Sequence, residues 1–100
     1  MAQSSTVVLE RTKTITRKKY RVIMHNDDTT SFDCVIRILQ EVFMKTFDEA
    51  NNIALAIHKA GPNGQKVVGE YSKSIADAKA SKGMRIAKME GFPNFKITVK

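Results

Sequence analysis

The run Tyr20-Arg21-Val22-Ile23-Met24-His25-Asn26-Asp27-Asp28-Thr29-Thr30-Ser31-Phe32-Asp33 constrains the fold of this chain more than any other stretch. It starts as a strand. Tyr20, Val22 and Met24 can face one side while Arg21, Ile23 and His25 face the other, and most of these side chains are β-branched, aromatic or long and apolar. The strand has to stop at Asn26-Asp27-Asp28, whose short polar side chains compete for neighbouring backbone groups and favour turns. Thr30 or Ser31 can then cap a helix that begins near Phe32. One amide and two adjacent carboxylates are thereby left at the rim of a strand-to-helix junction. Such a cluster costs too much to bury unpaired, so it is either a solvated turn or a receptor for a cation.

Downstream, Phe32, Val35, Ile36, Leu39 and Phe43 recur at three- and four-residue spacing, which predicts a helix from about Phe32 to Met44 with that face in the core. Thr46 followed by Glu49 is a capping box for a second helix, about Phe47 to Ala60, with Phe47, Ala50, Ile53, Ala54 and Ile57 on its buried side. Gly61-Pro62 ends it, because Gly61 suits a left-handed cap and Pro62 cannot continue the helix. A short apolar strand, Lys66 to Tyr71, comes next. Ser72 or Ser74 can cap a third helix reaching about Met89, whose Ala76, Ala80, Gly83, Met84 and Ala87 form a stripe small enough to lie close to a sheet. Phe95 to Val99 alternates as a last strand. The order βααβαβ implies a single α+β domain, a three-stranded antiparallel sheet with three helices packed on one face.

The formal charge of +7 invites a nucleic-acid reading. Its distribution argues against it. Residues 1 to 19 hold five cations (Arg11, Lys13, Arg17, Lys18, Lys19) against Glu10, so they carry +4 of the total, while the rest is nearly balanced and has no Trp on which bases could stack. Residues 1 to 18 are polar and read as a flexible basic extension, leaving residues 19 to 100 as the folded domain. No apolar run approaches the roughly 20 residues of a membrane span, and no signal peptide is visible at the start. Cys34 stands alone within an apolar helix pattern, so it is expected as a buried structural thiol in a reducing, cytoplasmic compartment. Neither metal-ligand spacing nor a glycine-rich phosphate loop is present, and no cofactor is expected.

His58, almost at the end of the second helix, is open to two readings. It can simply complement the helix dipole. In its setting it suggests more. The combination His25-Asn26-Asp27-Asp28-Thr29-Thr30 at a strand end, an amphipathic helix, and a second helix ending Ile57-His58-x-x-Gly61 resembles the ClpS adaptor family. The resemblance covers about Tyr20 to Val99 and includes the strand Val67-Val68-Gly69-x-Tyr71.

That resemblance implies a non-enzymatic adaptor. Such proteins bind substrates that begin with a destabilising residue, Leu, Phe, Tyr or Trp, and deliver them to the N-domain of a ClpA- or ClpC-type AAA+ unfoldase and its peptidase ClpP. The positions matching Asn26, Asp28 and His58 would hold the substrate α-amino group, with Asp27 alongside. An amide oxygen, a carboxylate and a neutral imidazole nitrogen are all acceptors, which suits an ammonium with three donors. The first side chain would enter a pocket built from Thr30, Phe32, Val35, Ala54 and Ile57, with Asn94 at its far edge. Taken without the resemblance, these apolar residues read as ordinary core.

Departures from the family pattern bear on specificity. Phe32 and Ala54 stand where Met is common and Asn94 where Leu is common, which changes pocket volume and polarity, and the loop after Gly61 is about three residues longer. Docking on the unfoldase would use Tyr71, Ser72, Ser74 and Lys79, although Ser74 replaces the family's acidic residue; a bland solvated helix face is the competing reading. The resemblance implies a monomer with no membrane partner. The competing function class is a small nucleic-acid-binding protein acting through the Arg11 to Arg21 cluster. A hydrolase using Asp27, Asp28 and His58 lacks an activated nucleophile, oxyanion donors and metal ligands.

Overall fold

The structure, a computed structural model, describes residues 18–100. Its elements are β1 (Tyr20–His25), α1 (Phe32–Glu41), α2 (Phe47–Lys59), β2 (Gln65–Tyr71), α3 (Lys73–Met89) and β3 (Ile97–Val99), in the expected order. The expected flexible extension, apart from Lys18, lies outside the described residues, as do Arg11, Lys13 and Arg17 of the basic cluster. No described helix is long and apolar enough to cross a membrane.

β1 is the central strand, antiparallel to β2 on one side and to β3 on the other. Val22 and Met24 are fully buried and form one cluster with Val68, Ile97, Ile38, Leu39 and the alanines of α2 and α3. All three helices therefore cover the same face of the sheet. Opposite Val22 is Gly69 and opposite Ile23 is Val67, so Val68 is an extra residue in the ladder, a bulge that turns its side chain into the core. Gly69 has a steric reason: a Cβ there would stand 2.5 Å from the Tyr71 hydroxyl. Without one, the Tyr71 ring folds back to pack against Phe43, with centroids 6.5 Å apart.

Two caps follow the sequence closely. The Thr46 hydroxyl accepts from the Glu49 amide at 3.1 Å while Glu49 accepts from the Thr46 amide at 2.9 Å, completing the capping box of α2. Ser31, not Thr30, caps α1, accepting from the Cys34 amide at 3.1 Å. The small-residue stripe of α3 is buried at Ala76, Ala80, Gly83 and Ala87. A Cβ on Gly83 would meet Ile97 Cδ1 at 2.6 Å, which is how closely α3 approaches β3.

Four expectations are corrected. α1 ends at Glu41 rather than Met44, because Met44 turns to φ 56 and the Lys45 amide reaches back to the Leu39 carbonyl. Val42 and Phe43 stay buried after the helix has ended, so the apolar rhythm reports burial beyond the helix itself. The buried face of α1 also includes Cys34 and Ile38, whereas Phe32 and Val35 are only half-buried. Phe47 is 57% exposed; side chains lean toward a helix's N-terminus, so at the first position it projects past the element it would pack on. β3 starts at Ile97 rather than Phe95, although the His25 amide still donates to the Lys96 carbonyl at 3.1 Å.

Candidate functional site

The site grows from the end of β1. The Asn26 backbone amide donates to the Gly64 carbonyl and its side-chain amide to the Gly61 carbonyl, both at 2.8 Å. These bonds pin the strand end to the turn that follows α2, where Gly61 sits at φ 89 and donates to the His58 carbonyl. With its nitrogen committed to Gly61, the Asn26 amide is left with its oxygen as the open acceptor.

Asp27 and Asp28 divide the work of the turn. Asp27 Oδ2 accepts from Thr30 Oγ1 at 2.6 Å and Thr29 Oγ1 at 2.8 Å, and the Thr30 hydrogen bond above all holds its carboxyl below the usual range. Asp28 is exposed, and its carboxylate forms no side-chain hydrogen bond among the described residues. His58, also exposed, presents its ring at right angles to that of Phe32, centroids 6.4 Å apart.

These groups open onto one cavity of about 260 Å³. Asn26, Asp27, Asp28 and His58 form its polar rim, and Thr30, Phe32, Val35, Ala54 and Ile57 its wall. Phe32 and Val35, half-buried at the edge of the core, line this cavity together with the buried Ala54 and Ile57. Every residue expected at the amine site or in the pocket lines it except Asn94. Pro93 and a turn closed by Phe95 N–H to the Phe92 carbonyl carry Asn94 to a neighbouring groove, and Phe95, 4% exposed, takes the place in the wall. The alternation of Phe95, Ile97 and Val99 already puts Phe95 on the inner face.

His25 also stands at the rim. Strand alternation alone assigns it outward, yet at the strand end its Nε2 lies 2.8 Å from Thr98 Oγ1 and its ring borders the cavity. Burial first, then the positive charges of Lys96 and Lys100, lowers its basicity and favours the neutral imidazole.

The expected docking residues lie at the junction of β2 with α3 and on the first two turns of α3. Tyr71 and Ser72 line a separate groove of about 400 Å³ with Ile75, while Ser74 is exposed on the first turn of α3 outside it. Lys79 is already engaged: its Nζ donates to the Val42 carbonyl at 2.8 Å and stands 5.2 Å from the centroid of the Tyr71 ring. Cys34 is buried, and burial above all pushes its thiol up to about 12, so it is no nucleophile. Among the described residues no three His, Cys, Asp or Glu side chains gather as metal ligands would. What remains is a ring of acceptors around an apolar hole, suited to a small cation that carries an apolar group.

The family profile described as "ATP-dependent Clp protease adaptor protein ClpS" matches residues 16–96. The chain belongs to the ClpS family. It is 47% identical over 81 residues to the Clp protease adapter ClpS of Helicobacter hepaticus, covering 81% of this chain and 79% of that protein. It is 39% identical to the ClpS of Deinococcus radiodurans over 92 residues, 92% of this chain and 79% of the relative. Against the Campylobacter jejuni ClpS the figures are 41% identity and 88% of each chain. Among solved structures, Agrobacterium tumefaciens ClpS2 bound to L-phenylalaninamide superposes with a TM-score of 0.77 at 29% identity, covering 85% of this chain and 98% of that one. The ClpS fold, three helices over a three-stranded antiparallel sheet, is the fold described above.

Proposed function

We propose that this ClpS-family adaptor captures proteins by their free N-terminal residue when that residue is Leu, Phe, Tyr or Trp, and hands them to a ClpA- or ClpC-type AAA+ unfoldase for degradation by ClpP. The observation that carries the reading is the meeting of Asn26 and Asp28 from one junction with His58 from another element at the mouth of one apolar cavity. A protein N-terminus offers both an ammonium with three donors and, one bond away, a side chain. Asn26 Oδ1, the Asp28 carboxylate and His58 accept from the ammonium, directly or through water. Each charge-assisted bond of this kind is worth about 1.5–3 kcal/mol when it is lost.

The first side chain fills the cavity. An apolar hole of about 150 Å³ already admits benzene, so the 260 Å³ here has room for an aromatic ring. Burying a Leu or Phe side chain adds about 1.5–3 kcal/mol. The two parts together support micromolar binding, about −8 kcal/mol. The amine in a ClpS2 structure bound to L-phenylalaninamide, a free α-amine on an aromatic side chain, has the chemistry this site would accept. The adaptor makes no covalent change; it raises the local concentration of cargo at a hexameric unfoldase. It works in the cytoplasm as a monomer, with Tyr71, Ser72, Ser74 and Lys79 toward the unfoldase.

Fluorescent peptides beginning with Leu, Phe, Val, Met and acetyl-Leu test the reading by titration. Leu and Phe peptides are expected to bind in the micromolar range and acetyl-Leu not at all, since acetylation removes the charge and two of the donors. Asp28→Asn is expected to weaken binding about tenfold or more, the size of one charge-assisted bond, with thermal stability unchanged. Equal affinity for Leu and acetyl-Leu peptides overturns the proposal. A companion titration of Phe32→Met reports the ranking of first residues, which is expected to shift because the Phe32 ring both walls the cavity and meets the His58 edge.

A further inference from the structure

All three helices lie on one face of the sheet, and the register fixes what stands on the other. Val22 and Met24 point into the core, so Arg21, Ile23 and His25 point away from it. Ile23 is 6% exposed, yet it stands outside the cluster that the helices cover, in a row between Val67 of β2, 44% exposed, and Thr98 of β3. Cations flank this row. Lys96 and Lys100, both exposed, alternate with Thr98 along the line of β3, and the Lys100 amide donates to the Arg21 carbonyl, which sets the exposed Arg21 beside it. None of the ion pairs among the described residues takes up Arg21, Lys96 or Lys100. Glu70, opposite Arg21, is the one acidic side chain in the register of this face.

We infer that the open face receives an extended acidic segment of a protein partner, with carboxylates at positions i and i+4 and an apolar side chain at i+2. The spacing comes from the strand. Lys96 and Lys100 are four residues apart on an extended chain, roughly 13 Å at about 3.3 Å per residue, and a partner strand laid along them repeats that distance on one of its own faces. In a helix the same two positions are only about 5–6 Å apart, too close to serve both ammonium groups. The side chain at i+2 then rests on Thr98 and Ile23, and the carboxylates meet Lys96 at one end and Lys100 with Arg21 at the other. Nucleic acid would find phosphate partners here but little to stack on, because Tyr20 and Tyr71 pair with each other on the helix-covered side and the His25 imidazole is held at Thr98. A second copy of the chain, +7 overall, is repelled. Nothing in this docking requires a ligand in the cavity at the end of β1, so it stands or falls apart from the proposed function.

N-acetylated fluorescent peptides keep the amine site out of the test. Acetyl-Ser-Glu-Ser-Val-Ser-Glu-Ser-amide has the matching spacing, and acetyl-Ser-Glu-Glu-Val-Ser-Ser-Ser-amide has the same composition with the carboxylates brought together. The matched peptide is expected to bind about three- to tenfold more tightly at low salt, the size of exposed charge contacts made or lost, and to lose that margin as salt rises. Lys96→Glu and Lys100→Glu are each expected to weaken the matched peptide by a similar factor, with thermal unfolding unchanged because both side chains are exposed. Failure of the matched peptide to bind, equal binding of the two peptides, or a matched peptide that neither substitution weakens overturns the assignment. An oligouridylate that binds more tightly than the matched peptide and is weakened by the same two substitutions gives the face to nucleic acid and overturns it as well.

Discussion

Asp27 and Asp28 carry the same functional group one residue apart and meet different surroundings. Asp27 is bonded by two threonine hydroxyls, whereas Asp28 keeps its acceptors open. The depressed Asp27 ionisation means that the folded chain holds this carboxylate charged more firmly than the unfolded chain does. Its stabilisation is present above the ordinary Asp value, about 3.9, and is lost as pH falls through the lower folded value. His25 acts higher on the scale. Its folded form resists protonation, so the unfolded chain binds the extra proton first, and stability begins to fall as pH drops below the ordinary His value of about 6.5. Denaturant unfolding followed from pH 7.5 to pH 5 is expected to show that decline, and His25→Gln to flatten it. An equally steep decline in the variant assigns the loss to another group.

Among the elements, the turn between α2 and β2 has little freedom to change. A Cβ on Gly64 would lie 2.4 Å from the Ile57 carbonyl oxygen and 2.9 Å from Ala60 Cβ. Gly64→Ala must therefore push the last turn of α2, which carries His58, away from β1. Overpacking of this kind costs about 1–3 kcal/mol, and the variant is expected to lose that stability and to bind Leu and Phe peptides more weakly. Thermal unfolding with peptide titration checks both; retained affinity would mean that the turn yields without moving His58. This turn also marks where the sequence is legible. Gly61, Thr46 with Glu49, and the Tyr20 to His25 alternation locate their elements because local chemistry and tertiary packing agree there. Phe47 and Met44 mislead because each lies at or just past the end of an element, and there the path of the chain decides exposure more than periodicity does. Phe32, Val35, Ala54 and Ile57 carry a subtler ambiguity: a cavity wall has the same apolar spacing as a core, and only the arrangement of β1, α1 and α2 in space separates the two.

Over the whole molecule, charged contacts between elements differ in worth according to the water around them. Arg37 bonds Glu41 at 2.8 Å and also reaches Glu90 beyond α3, but its side chain is more than half exposed. Such pairs contribute about 0–1 kcal/mol. Lys79 is half-buried and joins α3 to the carbonyl left open where α1 stops. Lys79→Met is expected to cost about 1 kcal/mol, more than Arg37→Ala, and chemical denaturation of the two variants side by side checks the order. Any docking defect of a Lys79 variant has to be read beside that loss. The strapping of Asn26 to Gly61 and Gly64 has a different kind of consequence. Those bonds are made within the chain, by groups that line the site, so a guest that arrives spends little on ordering its host. A receptor built in advance also has no spring of its own with which to eject what it holds. Discharge then depends on a rival ligand or on traction applied to the cargo from outside.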